Sequence, residues 1–147
     1  MTNETKTPEI NASELAKSVT PKYSKEELLS IFDDILFQGY YQEDVTLKDR
    51  LTISFRTRSA EDTAKISRII DAEQYQLSST YMEHRALLNL ATSMVTFNGK
   101  DMQDKTLEDR FIFVKKLPAH LVALLSKALV EFDTKVETAC KDGDENF

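Results

Sequence analysis

The side chains that could ligate a metal ion or act as nucleophiles are few and far apart in this sequence. His84 and His120 are the two histidines, and Cys140 is the single cysteine. A metal centre needs several such ligands at short spacings, and neither histidine has a histidine or cysteine within four residues. A cysteine nucleophile needs a base and an orienting group, but the only basic neighbour of Cys140 is Lys141. We therefore predict no metal site and no cysteine catalysis.

Paired carboxylates are the second arrangement that could do chemistry. Such pairs include Asp33 with Asp34, Glu43 with Asp44, and Glu108 with Asp109. Carboxyls that act as general acid and base face each other across a cleft, whereas neighbours on a helix diverge. The three glycines are isolated, so the sequence offers no glycine-rich phosphate loop. We predict a chain without catalytic residues, cofactor or small-molecule ligand.

The charge of the chain bears on the kind of partner. Its 147 residues carry a formal net charge of −6, and the basic clusters are short pairs, Arg56 with Arg58 and Lys115 with Lys116. A protein that binds duplex nucleic acid needs a basic face to displace counterions from phosphate. Nucleic acid is therefore not expected as the main ligand.

No segment has the composition of an export signal or a membrane anchor. Residues 1–18 include Glu4, Glu9 and Glu14 and lack an apolar run, which is unlike a secretory signal. No stretch approaches the roughly 18 apolar residues that a membrane-spanning helix needs. We expect synthesis in the cytoplasm and no membrane partner.

The hydrophobic pattern predicts the helices that would position these side chains. Capping patterns at Ser24, Ser59 and Thr106 each precede apolar residues at helical spacing. Gly39 and the Asn98-Gly99 pair are expected to end two of the helices. The predicted helices span residues 25–37, 60–73, 79–97 and 119–140, with a short one opening at Thr106.

A β-hairpin is predicted between the first two helices. Its apolar residues all fall on odd positions, which is the period of a strand buried on one face. They are Val45, Leu47, Leu51, Ile53 and Phe55. The run Lys48-Asp49-Arg50 interrupts them as a turn would, so the strands should span 40–47 and 51–57.

These elements predict one helical domain at residues 24–141 with the hairpin at 40–57. Residues 1–23 are too polar to join a core and are predicted as a flexible arm, and residues 142–147 as a polar tail. The predicted class is α+β and mostly helical, with four to five helices packed with one β-hairpin.

Candidate residues for binding a partner lie on the hairpin. Tyr40 and Tyr41 should face opposite ways on a strand, and an exposed tyrosine suits an interface because it offers a large contact area at low entropic cost. Arg56 and Arg58 should leave the second strand on one face. They would form either an interchain ion pair or a solvated edge that discourages aggregation.

The strand edge is a further candidate. A hairpin alone leaves two open edges, and open edges recruit strands from other chains. Residues 51–57, with Thr52 and Ser54, are therefore expected to border another protein, and the terminal aromatic Phe147 completes the candidate set. The last helix has apolar residues close to a coiled-coil seam, which leaves packing within the domain and helix-mediated assembly as the two alternatives.

The order of elements resembles small virion or assembly proteins of tailed bacteriophages, of the tail and baseplate kind. The resemblance covers residues 37–147. The features that carry it are the helix ending at Gly39, the strand Leu51-Thr-Ile-Ser-Phe-Arg-Thr57, the segment Leu90-Ala-Thr-Ser-Met-Val-Thr-Phe-Asn-Gly99, the break at Leu117-Pro118 and the end Asp-Glu-Asn-Phe147. What the resemblance implies is a structural or assembly role without catalysis or cofactor.

We therefore expect a non-enzymatic structural or assembly protein, of a phage tail or baseplate, that contacts other virion proteins and either is incorporated in the virion or only assists its assembly. The alternative is a soluble adaptor or regulator that binds a single host or viral enzyme. An enzyme is the least favoured class, because catalytic constellations usually leave a trace in sequence.

Overall fold

The computed structural model describes residues 23–73 and 78–141, and residues 73, 78 and 79 through their backbone only. Residues 1–22 of the predicted arm at 1–23, the predicted tail at 142–147 and the candidate Phe147 lie outside the described residues. Tyr23, which the sequence placed in the arm, contacts the domain. The Lys135 amine lies 5.7 Å from the centroid of its ring.

The described part contains five helices and a four-stranded antiparallel sheet, so the predicted α+β, mostly helical class is confirmed. The helices are α1 (Lys25–Gln38), α2 (Ala60–Glu73), α3 (Ser78–Ser93), α4 (Leu107–Lys115) and α5 (Ala119–Cys140). The strands are β1 (Gln42–Leu47), β2 (Leu51–Arg56), β3 (Met94–Phe97) and β4 (Lys100–Asp101), in that order across the sheet.

Three helices begin at the predicted caps. The Ser24 and Thr106 hydroxyls accept hydrogen bonds from the backbone three residues on, at 3.0 and 3.1 Å. Ser59 and Asp62 form a reciprocal capping box, since each side chain accepts a bond from the other's N–H. Gly39 ends α1 with a φ of 91°, in the left-handed region that glycine tolerates best.

The sheet differs from the prediction at its second hairpin. The helix predicted to run to residue 97 ends at Ser93, and the next four residues form β3. Asn98 and Gly99 both have positive φ, 53° and 83°, between the paired residues Phe97 and Lys100. Two positive φ values are what a type I′ hairpin turn needs, and Asn-Gly is its preferred sequence. The pair therefore turns a hairpin instead of ending a helix.

The core lies between one face of the sheet and the helices. α5 packs against α1 and α3, while α3 also contacts α2 and α4. The fully buried large side chains are Phe55, Ile31, Ile53, Ile66, Ile70, Leu88, Leu90, Met94, Met102, Leu125 and Val114. The apolar side of α5 joins this core through Leu125, Ala128, Leu129 and Phe132. Of the two readings of α5, packing within the domain is the one observed.

Leu88→Ala and Leu125→Ala should each lower the free energy of unfolding by about 2–5 kcal/mol, the usual cost of truncating a buried leucine. Urea denaturation followed by circular dichroism measures this. Val130→Ala is the control, because Val130 is 62% exposed on α5, and it should change the value by less than about 0.5 kcal/mol. A loss below about 1 kcal/mol at both leucines would contradict the core described above.

Candidate functional site

The face of the sheet away from the helices carries a ladder of polar side chains, here called the outer face. It consists of Gln42, Asp44, Thr46, Thr52, Ser54, Arg56 and Thr96. Cross-strand partners bond to one another: Arg56 donates two bonds to Gln42 at 3.0 and 2.8 Å, and Ser54 donates to Asp44. Thr46 and Thr52 lie 3.2 Å apart through their hydroxyls. These groups largely satisfy each other, which makes the outer face a stabilising ladder.

The expectation that residues 51–57 form an open edge is wrong, because β2 lies between β1 and β3. Ser54 is paired with Asp44 on one side and Thr96 on the other. The Thr52 carbonyl accepts a bond of 2.7 Å from the Asn98 N–H. The backbone of Thr52 and Ser54 therefore has no free edge to offer a second chain.

Tyr40 and Tyr41 face opposite sides, as predicted. The Arg56 guanidinium lies 4.0 Å from the centroid of the Tyr40 ring on the outer face. Tyr41 lies on the helix side, where its ring stacks on Phe132 at 5.8 Å and its hydroxyl donates to Glu43. Tyr40 and Arg56 remain partly exposed side by side, whereas Tyr41 is a structural residue of the core edge.

Arg58 does not share a surface with Arg56, contrary to expectation. Its guanidinium donates to the Asp133 carboxylate at 2.8 Å and to the buried Ser93 hydroxyl. The Arg58 side chain is only 17% exposed. It is neither an interchain ion pair nor a solvated edge, because it ties the end of β2 to α5 within the chain.

Lys135 joins three elements at the edge of the hairpin. Its amine bonds to Glu43 of β1 at 2.7 Å and lies 3.6 Å from the Glu27 carboxylate of α1. Burial alone would lower the Lys135 pKa, but the hydrogen bond that Lys135 donates to Glu43 and the charges of Glu43 and Glu27 outweigh it and raise the pKa. Burial, followed by the bond to Glu43, also raises the pKa of Tyr41.

The residues singled out for metal or nucleophilic chemistry are not brought together. His84 on α3 packs edge-on against Phe111 at 5.9 Å, and His120 is exposed on α5. Partial burial raises the Cys140 pKa, which opposes formation of the reactive thiolate. Among the described residues, no group of three or more potential ligands could hold a metal ion.

Two surfaces that the sequence did not single out remain open in the described part. The first is an apolar strip on α1, defined by Leu29, Phe32, Leu36 and Phe37, all exposed. The second is the edge of β1 that faces away from β2. Among the described residues, no backbone hydrogen bond joins this edge to another segment. Seven apolar residues among the fourteen of α1 are more than one face can bury, so the strip had a signal in the sequence.

No protein family, curated protein or solved structure gives a significant match to this chain. In the described part, no helix has the length and apolar character needed to cross a membrane.

The raised pKa values of Tyr41 and Lys135 predict how stability falls in alkali. Each group holds its proton more tightly in the folded chain than in the unfolded chain. Its contribution to the free energy of unfolding is therefore complete below about pH 10, the unfolded tyrosine pKa, and is lost as the pH rises towards the folded pKa values. Tyr41→Phe should make the alkaline decline less steep, because phenylalanine has no proton to lose.

Urea denaturation from about pH 8, below the ordinary tyrosine and lysine pKa values, to about pH 11, above them, provides the measurement. The bond from Tyr41 to Glu43 is lost in the variant at every pH, so its loss appears as an offset already present at pH 8. Lys135→Met should also reduce the slope with which the free energy of unfolding falls as the pH rises. An unchanged slope in Tyr41→Phe would contradict the assignment of Tyr41.

Proposed function

We propose that this chain is a non-enzymatic virion structural or assembly protein, of a bacteriophage tail or baseplate, that acts by binding other virion proteins. The observation that carries the proposal is the apolar strip on α1. The order of elements that resembles such proteins in the sequence supports the tail and baseplate context.

The strip gathers most of the exposed large apolar side chains of the described part on one helix. Leu29, Phe32 and Leu36 recur at helical spacing and are 52%, 39% and 60% exposed, and Phe37 is 80% exposed. Four of the seven exposed large hydrophobic side chains of the described part therefore lie on this one helix. Burying one such side chain is worth about 1.5–3 kcal/mol. A cluster of them exposed together favours a protein-binding role.

The surroundings of the strip favour a particular kind of partner segment. A cavity of about 310 Å³ adjoins it, with Leu29 and Phe32 on one side and Ala139 and Cys140 of α5 on the other. By helix geometry Glu26 and Asp33 border the strip on its far side. Lys25 and Lys141 line the cavity itself, so charges of both signs flank the strip. The fitting partner is an apolar segment from another protein of the particle, with acidic residues at the cavity and basic residues beside Glu26 and Asp33.

Replacing Leu29 and Leu36 together by serine should remove the chain from particles or assembly intermediates. Both side chains are exposed, so the free energy of unfolding should change by less than about 1 kcal/mol. Val130→Ser is the matched control, since Val130 is an equally exposed apolar residue on another helix. Sedimentation followed by quantitative mass spectrometry measures incorporation and stoichiometry.

Fixed stoichiometry with a large assembly is the expected result, and the double variant should lose it. Recovery of the chain only with one soluble enzyme would support the adaptor or regulator instead. Normal incorporation of the double variant would show that the strip is not the binding surface.

A further inference from the structure

Within the part of the chain that the structure describes, the sheet has one free edge long enough to take another strand, and it belongs to β1. β1 spans six residues and, among the described strands, pairs only with β2. The opposite edge is β4, with two exposed and charged residues, Lys100 and Asp101. Short and charged edges discourage pairing, so β1 is the edge that can accept a strand.

The hydrogen-bonding parity of β1 shows which groups are available. The Thr57 N–H donates to the carbonyl of Tyr41, which directly precedes β1, at 2.9 Å. The odd-numbered residues of β1 therefore also bond towards β2. In an antiparallel pair, alternate residues direct both backbone groups to opposite sides. Gln42, Asp44 and Thr46 therefore point their N–H and C=O groups away from β2. They offer three donors and three acceptors to an added strand.

A cavity lies beneath this edge on the helix side. It measures about 220 Å³, and its apolar lining is Val45 of β1 with Ala128 and Phe132 of α5. Its polar lining is Tyr23, Glu43, Glu131 and Lys135. Side chains of neighbouring strands at paired positions lie about 5 Å apart on the same face. An apolar side chain of an added strand, placed beside Val45, would therefore enter the cavity.

The charges along the edge select the added strand. Glu43 and Glu131 line the cavity with one lysine, Lys135, which already pairs with Glu43 and Glu27. Asp44 lies at the middle of the edge on the outer face. In an antiparallel pair with a second copy, centred on Asp44, the two Asp44 carboxylates would lie opposite each other, and like charges on paired strands disfavour this. A strand carrying lysine or arginine fits better.

We propose that the β1 edge binds an extended segment of another protein, with apolar and basic residues alternating along it. The apolar residues cover the cavity beside Val45, and the basic residues lie on the outer face near Asp44. Backbone bonds to Gln42, Asp44 and Thr46 extend the sheet by one strand. This inference rests on the proposed protein-binding function and adds a second surface to it.

The probe is a synthetic heptapeptide in which lysine alternates with valine or leucine, added to the full-length chain. Residue-resolved amide exchange by NMR should show new protection at Gln42, Asp44 and Thr46. The same peptide with glutamate for lysine should bind at least about tenfold more weakly, because two acidic partners repel. Two N-methylated peptides, each blocking one alternate set of amides, should differ: one binds and the other does not.

Asp44→Pro tests the same edge from the side of the protein. It removes an N–H that points away from β2, and proline is tolerated at such positions of edge strands. The basic peptide should bind this variant at least about tenfold more weakly than it binds Asp44→Ala, which keeps the N–H. Far-UV circular dichroism reports whether both variants fold, and the N-methylated peptides supply the answer if the proline variant does not.

Equal binding of the two N-methylated peptides would overturn the proposal, because strand addition uses one edge only. Protection of the three amides before peptide is added would overturn it as well, since the edge would already be covered by this chain or by a second copy. Chemical-shift changes confined to α1 would overturn strand addition but leave the apolar strip, and with it the proposed function, intact.

Discussion

Phe132 of α5 lies between two rings of the hairpin, with centroids 5.8 Å from Tyr41 and 5.7 Å from Phe55. A two-stranded hairpin is marginal in water unless an apolar face is covered, and this contact supplies the cover. Phe132 is almost fully buried, and Phe55 is completely buried. Because α5 must cross the hairpin for this contact to form, the position of the longest helix and the burial of β2 depend on each other.

Apolar burial has no preferred direction, so polar contacts are needed to fix how α5 lies on the sheet. Lys135 anchors one side to β1 and α1 through Glu43 and Glu27. Arg58 anchors the other side by joining the end of β2 to Asp133. On α5, Asp133 and Lys135 follow Phe132 by one and three residues, which places them on opposite sides of it around the helix, and their partners lie on different elements. Partly buried ion pairs of this kind contribute specificity more surely than stability.

Much of the domain could be predicted from local patterns. The capping residues Ser24, Ser59 and Thr106 start helices where expected, and odd-numbered apolar residues mark the hairpin, because caps and alternation are decided by near neighbours. The segment from Met94 to Gly99 was assigned wrongly. Its apolar residues suit a helix or a strand equally, and the Asn-Gly turn signal was taken as a helix end although it is also the strongest short hairpin signal.

The candidate site was predicted less well than the helices and the hairpin, because it depends on which strands lie next to each other in the sheet. Once β3 pairs with β2, Thr52 and Ser54 are interior to the sheet, and the free edge passes to β1. Arg58 directly follows the predicted strand, which ends at Thr57. Its partner Asp133 is 75 positions away, and no local pattern specifies that contact. The outward face of α1 had a signal, but a sequence cannot say which of two apolar faces meets α5.

The two open surfaces share a physical origin. α1 needs one apolar face to pack on α5, and Leu28 and Ile31 already provide it as buried residues. The opposite face of α1 therefore already supplies the apolar contacts that the fold needs, without the strip of Leu29, Phe32, Leu36 and Phe37. Likewise β1 needs only its odd residues to bond to β2, so the backbone groups of Gln42, Asp44 and Thr46 are surplus to the sheet.

Exposed apolar side chains and unpaired strand edges both carry an aggregation cost. Glu43 and Asp44 along β1 oppose pairing of that edge with another acidic strand and leave it open to a basic one. The α1 strip has charges of both signs beside it, with Glu26 and Asp33 on one side and Lys25 and Lys141 at the cavity.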